Sequence, residues 1–276
     1  MTIKVFFTDD PVWILENAKS FLASEPVRHN LILTLLQERA IYPESGRYWM
    51  VTNSTNVIGI VFQSPFNSAA ICTSLSHEAI NVVINEIMSM DIALPGISGE
   101  AETVKDFSEQ WIEHNTLTVR PLQGRCLYEV FSVQEKPTNM NKGYLRQALI
   151  HDRNTIIALM QEFQSEVGEQ GDNLDVFVDR RLAAGRFWLW DDNGPTSMVV
   201  TSEPAEGVIR LRVGYTSSEK RNCGYARLCI SKLSQQIQDG GYRCIAYADL
   251  DNPIINHLLY QIGYRAVAEI LLHKFE

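Results

Sequence analysis

Apolar positions along this chain recur with two periods, and the switches between them lay out its elements. Residues 3–8 (IKVFFT) read as a strand, and Asp9-Asp10-Pro11 is a helix start, a capping residue followed by proline in the first turn. That helix runs to about residue 23, Glu25-Pro26 stops it, and residues 30–40 form a second helix. Residues 47–52 and 57–63 alternate as strands joined through Asn53-Ser54-Thr55-Asn56, a hairpin by its turn residues. A short strand at 69–75 leads to Ser76, after which Ile80, Val83, Ile84, Ile87 and Met88 keep helical spacing. Residues 94–99 (LPGISG) read as a loop, 102–114 as a helix, and 116–120 and 125–133 as strands.

Residues 134–141 (QEKPTNMN) are polar, contain proline and lack periodicity, which marks a linker and divides the chain into domains 1–137 and 138–276. Beyond it, 145–150 is strand-like, 154–167 and 173–184 are helices, and 187–191 and 197–202 are strands around Asp192-Asn193-Gly194-Pro195. Residues 208–215 make a longer strand with Ile209, Leu211 and Val213 on one face. A helix from Gly224 is predicted to bury Ala226, Cys229, Ile230, Leu233 and Ile237 and to end at Gly240-Gly241. Then come a strand at 243–248, a helix at 253–262 opened by Asn252 and ended by Gly263, and a final pair of strands. Both halves run helix, helix, strands, helix, strand, helix, strands. This order predicts two copies of one α/β architecture without a residue-level repeat.

Composition narrows the partners. A formal charge of −9 and a pI near 5.2 argue against nucleic acid or an anionic membrane, both of which need a concentrated basic surface. No apolar run approaches the ~18–20 residues that span a bilayer, and the N-terminus lacks a signal-peptide pattern, so a cytoplasmic protein is expected. The five cysteines are scattered, odd in number and without a C-x-x-C pair, which suits a reducing compartment. The six histidines show no ligand spacing, and no metal is predicted.

The stretch 208–263 carries the candidate chemistry. Arg221-Asn222-Cys223-Gly224-Tyr225-Ala226 sits where a strand has ended and a helix begins, so free backbone N–H groups gather at the positive end of a helix dipole. Gly224 lets a diphosphate approach the backbone and Arg221 supplies a charge. With Asn252-Pro253 and Gly263-Tyr264 downstream, this R-x-x-G-x-A run resembles the GNAT superfamily of acyl-CoA N-acyltransferases, whose pyrophosphate loop is written Q/R-x-x-G-x-G/A. The runs YTSSEKRNCGYA, LSQQIQDGG, DLDNPIIN and IGY, with HNLIL and LPGISGEAETVKDFSEQW earlier, are similar to two-domain bacterial members whose N-terminal half is a degenerate copy.

The resemblance implies two tandem GNAT-like domains, each a mostly antiparallel central sheet flanked by helices, with acetyl-CoA as co-substrate of the second. It implies backbone contacts to the pantetheine arm around Val213, Gly214 and Tyr215, diphosphate contacts from residues 221–226, and a cofactor contact from Asn252 besides its capping role. The family pattern N-x-x-x-x-x-x-Y places a general acid seven residues after that asparagine, which is Leu259 here; Tyr260 follows one position, about 100°, later on the helix. Either the helix start shifts and Tyr260 is the acid, or the acid is missing. Glu203, Glu206, Asp249 and Asp251 are candidate bases. Cys223 is either a reactive thiol at a helix N-terminus or a small loop residue, and Trp188 and Trp190 line an acceptor pocket or pack in the core. The first half passes from its strand into Ser76-His77-Glu78-Ala79 without a glycine, so it is expected to wall the acceptor cleft and to bind no cofactor. The expected activity is direct acetyl transfer to a primary amine, on a small molecule or peptide. The rivals are a non-catalytic acyl-CoA sensor and a purely structural protein, and a homodimer is left open.

Overall fold

The structure, a computed structural model, describes residues 2–122, 124–134, 143–168 and 173–276; apart from Gln134, the linker expected at 134–141 lies outside them. The chain opens with β1 (Ile3–Thr8) and α1 (Pro11–Ser24). Asp10 Oδ1 caps this helix, accepting from the Val12 and Trp13 amides at 2.8 and 3.3 Å. There follow α2 (Asn30–Ile41), β2 (Arg47–Asn53) and β3 (Asn56–Gln63), the last two an antiparallel hairpin turning through Ser54 at φ 56°. Next are β4 (Ala70–Cys72) and α3 (His77–Ser89), whose cap is Ser76 Oγ accepting from the Ala79 amide at 3.3 Å. Then come β5 (Gly96–Glu100), α4 (Ala101–His114), β6 (Val119–Pro121) and β7 (Arg125–Val130). The presence of β5 corrects the loop expected at 94–99. Its glycines are strand positions of close approach: a Cβ on Gly96 would lie 2.4 Å from the His273 carbonyl oxygen.

The remaining elements are β8 (Tyr144–Gln147), a 3₁₀ turn at Ile150–Asp152, α5 (Arg153–Val167), α6 (Leu174–Ala183), β9 (Phe187–Asp191), β10 (Pro195–Thr201), β11 (Val208–Thr216), a 3₁₀ turn at Ser218–Lys220, α7 (Tyr225–Asp239), β12 (Arg243–Asp249), α8 (Pro253–Ile262) and β13 (Tyr264–Phe275). A single twelve-residue strand, β13, replaces the expected final pair. Its sequence, YRAVAEILLHKF, holds no turn residue to break it. On α7, Cys229, Ile230, Leu233 and Ile237 are buried as their spacing predicts, whereas Ala226 is only half-buried and Tyr225 turns inward instead.

The described residues thus form a mixed α/β protein of eight α-helices and thirteen mostly antiparallel strands. They gather into two compact units that are not contiguous in sequence. The first comprises Met1–Leu127, Ala248–Pro253 and Ala266–Glu276; the second comprises Tyr128–Tyr247 and Ile254–Arg265. In the first unit the strands run β1-β2-β3-β4-β5-β13, with β6 also on β13. Only β4 and β5 are parallel there, and Trp49, Ile80, Ile84, Val104, Phe107, Trp111 and Phe275 form the centre of the core. In the second unit the order is β7-β12-β11-β10-β9-β8, with β11 and β12 parallel, and Ile156, Met160, Val178, Phe187, Leu189, Met198 and Val200 pack beneath. Among the described residues no helix is long and apolar enough to cross a membrane.

Candidate functional site: a parted strand pair leading to a helix N-terminus

The parallel ladder between β11 and β12 runs from Val208↔Arg243 to Leu211↔Ala246 and ends there, well before β11 does. On its other edge β11 stays paired with β10 through Thr216↔Ser197. The register shifts at Val200/Thr201, so Arg212 is an extra residue on β11, a bulge of the kind that sharpens local twist and turns a strand away from its neighbour. Residues 213–216 therefore lie beyond the β12 ladder, and an extended chain of amides can pair with such an edge as an added strand. Val213, Gly214 and Tyr215 all lie in this segment. Gly214 is exposed, and a Cβ on it would meet only Ile230 Cδ1, at 3.7 Å.

Beyond β11 the chain makes the Ser218–Lys220 turn and enters α7. Asn222 and Gly224 both take left-handed φ, at 61° and 78°, and a Cβ on Gly224 would have nothing within 4 Å. Asparagine and glycine tolerate this conformation best, and residues alternating around it turn successive N–H groups toward one concavity. Gly224 occupies the N-cap of a fifteen-residue helix and supplies no side-chain cap, so the first-turn amides stay at the positive dipole end. The Tyr225 ring points inward and its hydroxyl donates to Asp192 Oδ2 at 2.5 Å, bracing the helix start on the turn between β9 and β10. Cys223 is half-buried, and Asn222 is exposed. From residues 222–226, the backbone is what the loop presents.

Arg221 is held by partners the sequence did not reveal. Its Nη2 donates to Glu166 Oε1 and Oε2 of α5 at 2.6 and 2.8 Å and to the Tyr215 hydroxyl at 3.0 Å, and its Nε donates to the Thr216 carbonyl at 3.1 Å. The guanidinium carbon sits 5.2 Å from the centre of the Tyr215 ring. The Tyr215 hydroxyl in turn donates to Glu166 Oε1 at 2.8 Å, with Glu162 Oε2 at 3.2 Å. Burial, then the two carboxylates accepting from it, push the Tyr215 phenol up to about 12, and the Arg221 hydrogen bond holds Glu166 below the usual carboxylate range. The only signal for this cluster in the sequence was the i,i+4 spacing of Glu162 and Glu166, which is common on solvated helix faces.

On α8, Leu259 is 2% exposed and packs inward, while Tyr260 is 59% exposed with the Arg265 guanidinium 4.5 Å from its ring centre. One turn before Leu259, Asn256 Oδ1 accepts from the Tyr128 hydroxyl at 3.1 Å, so a phenol from β7 meets the half-buried side of this helix. Asn252 donates its amide to the Asp249 carbonyl at 3.1 Å in the turn that precedes Pro253. Of the candidate bases, Glu203 pairs with Arg186 at 2.5 Å, Asp249 pairs with Arg125 at 3.2 Å, Glu206 occupies a turn at φ 44°, and Asp251 is exposed. Trp190 is buried and Trp188 half-buried on β9. No group of three or more His, Cys, Asp or Glu arranged for a metal occurs among the described residues.

In the first unit the parallel pair β4 and β5 is closely packed. A Cβ on Gly99 of β5 would lie 2.7 Å from Cys72 Sγ and 2.8 Å from the Cys72 carbonyl oxygen of β4, and the Cys72 thiol donates to the Ser98 carbonyl at 3.5 Å. The Leu75 amide donates to Thr103 Oγ1 at 3.3 Å, and Ser76 caps α3. The β4–β5 ladder runs through Ala70↔Ile97 and Ile71↔Ser98, and β4 ends at the next residue.

With its ladder parting before a glycine-entered helix, the chain has the fold of the GNAT superfamily. Over its full length it is similar to a GNAT-family acetyltransferase from Colwellia psychrerythraea (TM-score 0.64, 10% identity, 100% of both chains). It is also similar to a GCN5-related N-acetyltransferase from Sphaerobacter thermophilus (TM-score 0.61, 10% identity, 98% of this chain and 94% of that one). A tandem GNAT protein from the clavulanic acid biosynthesis pathway aligns over 100% of this chain and 98% of its own at a TM-score of 0.58 and 6% identity. No family model and no curated protein matches the sequence.

Proposed function

We propose that this protein is an acetyl-CoA-dependent N-acyltransferase that moves the acetyl group to a primary amine, on a small molecule or a peptide, by direct attack and without a covalent enzyme intermediate. One observation carries the reading: the β11–β12 ladder ends at Leu211↔Ala246, and the freed strand runs directly into the open Gly224 entry of α7. The backbone of residues 213–215 would pair with the pantetheine amides, and the N–H groups of residues 222–226 would receive the diphosphate, with charge from Arg221. Acetyl-CoA supplies the activated acyl group. The chain's part is to align the amine, take its proton through water or one of the carboxylates, and offer a strand N–H to the carbonyl oxygen, while the thiolate expelled as the C–S bond breaks takes a proton from water. The five cysteines are free, in keeping with work in the reducing cytoplasm.

A second reading, a non-catalytic acyl-CoA sensor, is favoured by the inward Leu259 at the position where the family pattern puts its acid. Two measurements separate them. Acetyl-CoA at saturation is expected to raise the melting temperature while ATP does not, and absence of a shift with any CoA ester would end both readings. Thiol release over a panel of amines then identifies the enzyme, and a bound but silent protein is the sensor.

A further inference from the structure

The cationic end of the proposed phosphate loop is already engaged by an anion of the protein itself. Nη2 of Arg221 donates to both carboxylate oxygens of Glu166 at 2.6 and 2.8 Å, so a carboxylate occupies a nitrogen that a phosphate oxygen would approach. We propose that Glu166 is an internal competitor for the cofactor's phosphates: its carboxylate holds Arg221 until a phosphate oxygen replaces it, and so sets how tightly the loop takes CoA. This inference rests on the cofactor reading given above.

Three features favour exchange over a permanent brace. First, Arg221 has other tethers: Nε is anchored on the Thr216 carbonyl at 3.1 Å and the guanidinium lies over the Tyr215 ring at 5.2 Å, so it keeps its place when the carboxylate leaves. Second, the Arg221 and Glu166 side chains are 41% and 46% exposed, where an ion pair is screened and weak. A diphosphate brings more charge and also meets the α7 amides, which Glu166 does not use. Third, Glu166 stands in the last turn of α5, next to the Val167 end and the left-handed Gly168 cap, where the helix dipole disfavours a carboxylate. Its position is unhelpful to its own helix and is explained by the partner it holds. Glu162, one turn earlier and facing the same Tyr215 hydroxyl, gives that hydroxyl an acceptor after Glu166 has moved.

The test is calorimetric titration of CoA into the full-length wild type, Glu166→Gln, Arg221→Gln and the double variant, with melting temperatures taken alongside. Glu166→Gln should bind CoA up to about fivefold more tightly, because Arg221 no longer has to give up a carboxylate before it meets a phosphate oxygen. Its affinity should also fall more steeply with salt than that of the wild type. In the Arg221→Gln background the same substitution should change nothing. A Glu166→Gln protein that melts like the wild type yet binds no tighter would overturn the proposal. So would an equal gain when Arg221 is absent, since that would be the general field of the carboxylate. Glu166→Ala repeats the comparison should the glutamine re-form the contact. If the wild type binds CoA and Glu166→Gln is no tighter, the inference alone fails. If no variant binds CoA, the loop assignment fails and takes the inference with it.

Discussion

Gly99 and Cys72 approach more closely than any side chain on residue 99 would allow: a methyl group on Gly99 would sit 2.7 Å from Cys72 Sγ. In the second unit Gly224 also lacks a side chain, but for an opposite reason, since space around it is open and its φ of 78° is what requires glycine.

Replacing Gly99 by alanine is therefore expected to overpack the β4–β5 pair and to cost about 1–3 kcal/mol, read from urea unfolding. Because this pair lies in the first unit, away from residues 213–226 in sequence, the CoA-induced rise in melting temperature should survive at temperatures where the variant is folded.

Gly224→Ala meets no atom and should cost only the left-handed backbone penalty, about 1 kcal/mol. Gly224→Glu puts a carboxylate at the helix entry and should abolish the acetyl-CoA shift while the protein still unfolds cooperatively. A Gly224→Glu protein with normal CoA affinity would mean that the diphosphate is held elsewhere.

Exposed and stacked by Arg265, Tyr260 is expected to be dispensable: Tyr260→Phe should keep its pH–rate profile. A general acid contributes roughly 10²–10⁴-fold, so a loss of that size would assign the role to Tyr260. Tyr128→Phe, measured in parallel, asks whether the phenol bonded to Asn256 matters instead.

His273 is 9% exposed, its Nδ1 lies 2.8 Å from Ser108 Oγ, and burial lowers its pKa below the ordinary 6.5. His29, 5% exposed, is lowered by burial as well. Both bind fewer protons folded than unfolded just below pH 6.5, so unfolding free energy should fall as pH drops through that value and level off below the folded pKa. Unfolding midpoints between pH 8 and 5 would check the sign, and His273→Gln should flatten part of the slope.

What the sequence disclosed was local chemistry. Asp10 and Ser76 announce their helices because capping is decided within three residues, and Asn53 to Asn56 announce the hairpin for the same reason. Gly224 after a strand gave the candidate loop. The glycines of β5 misled, because closeness to Cys72 and His273 is a property of neighbours far along the chain. Glu166 was invisible for that reason too: nothing near Arg221 in sequence says which carboxylate will reach it. The end of the β11–β12 ladder depends on a bulge at Arg212, a residue with no turn signature.

One consequence concerns synthesis. The first unit is completed by β13, whose Ile270 pairs with Glu100 and whose Lys274 pairs with Gly96. A ribosome that has delivered β1 to α4 has made most of this unit, yet β5 lacks one neighbour until more than half of the chain has followed. Pairings so distant in sequence form slowly and leave an unpaired edge meanwhile. The nascent first half is thus the stage most exposed to wrong partners, and a fragment cut before β13 should aggregate where the whole chain folds.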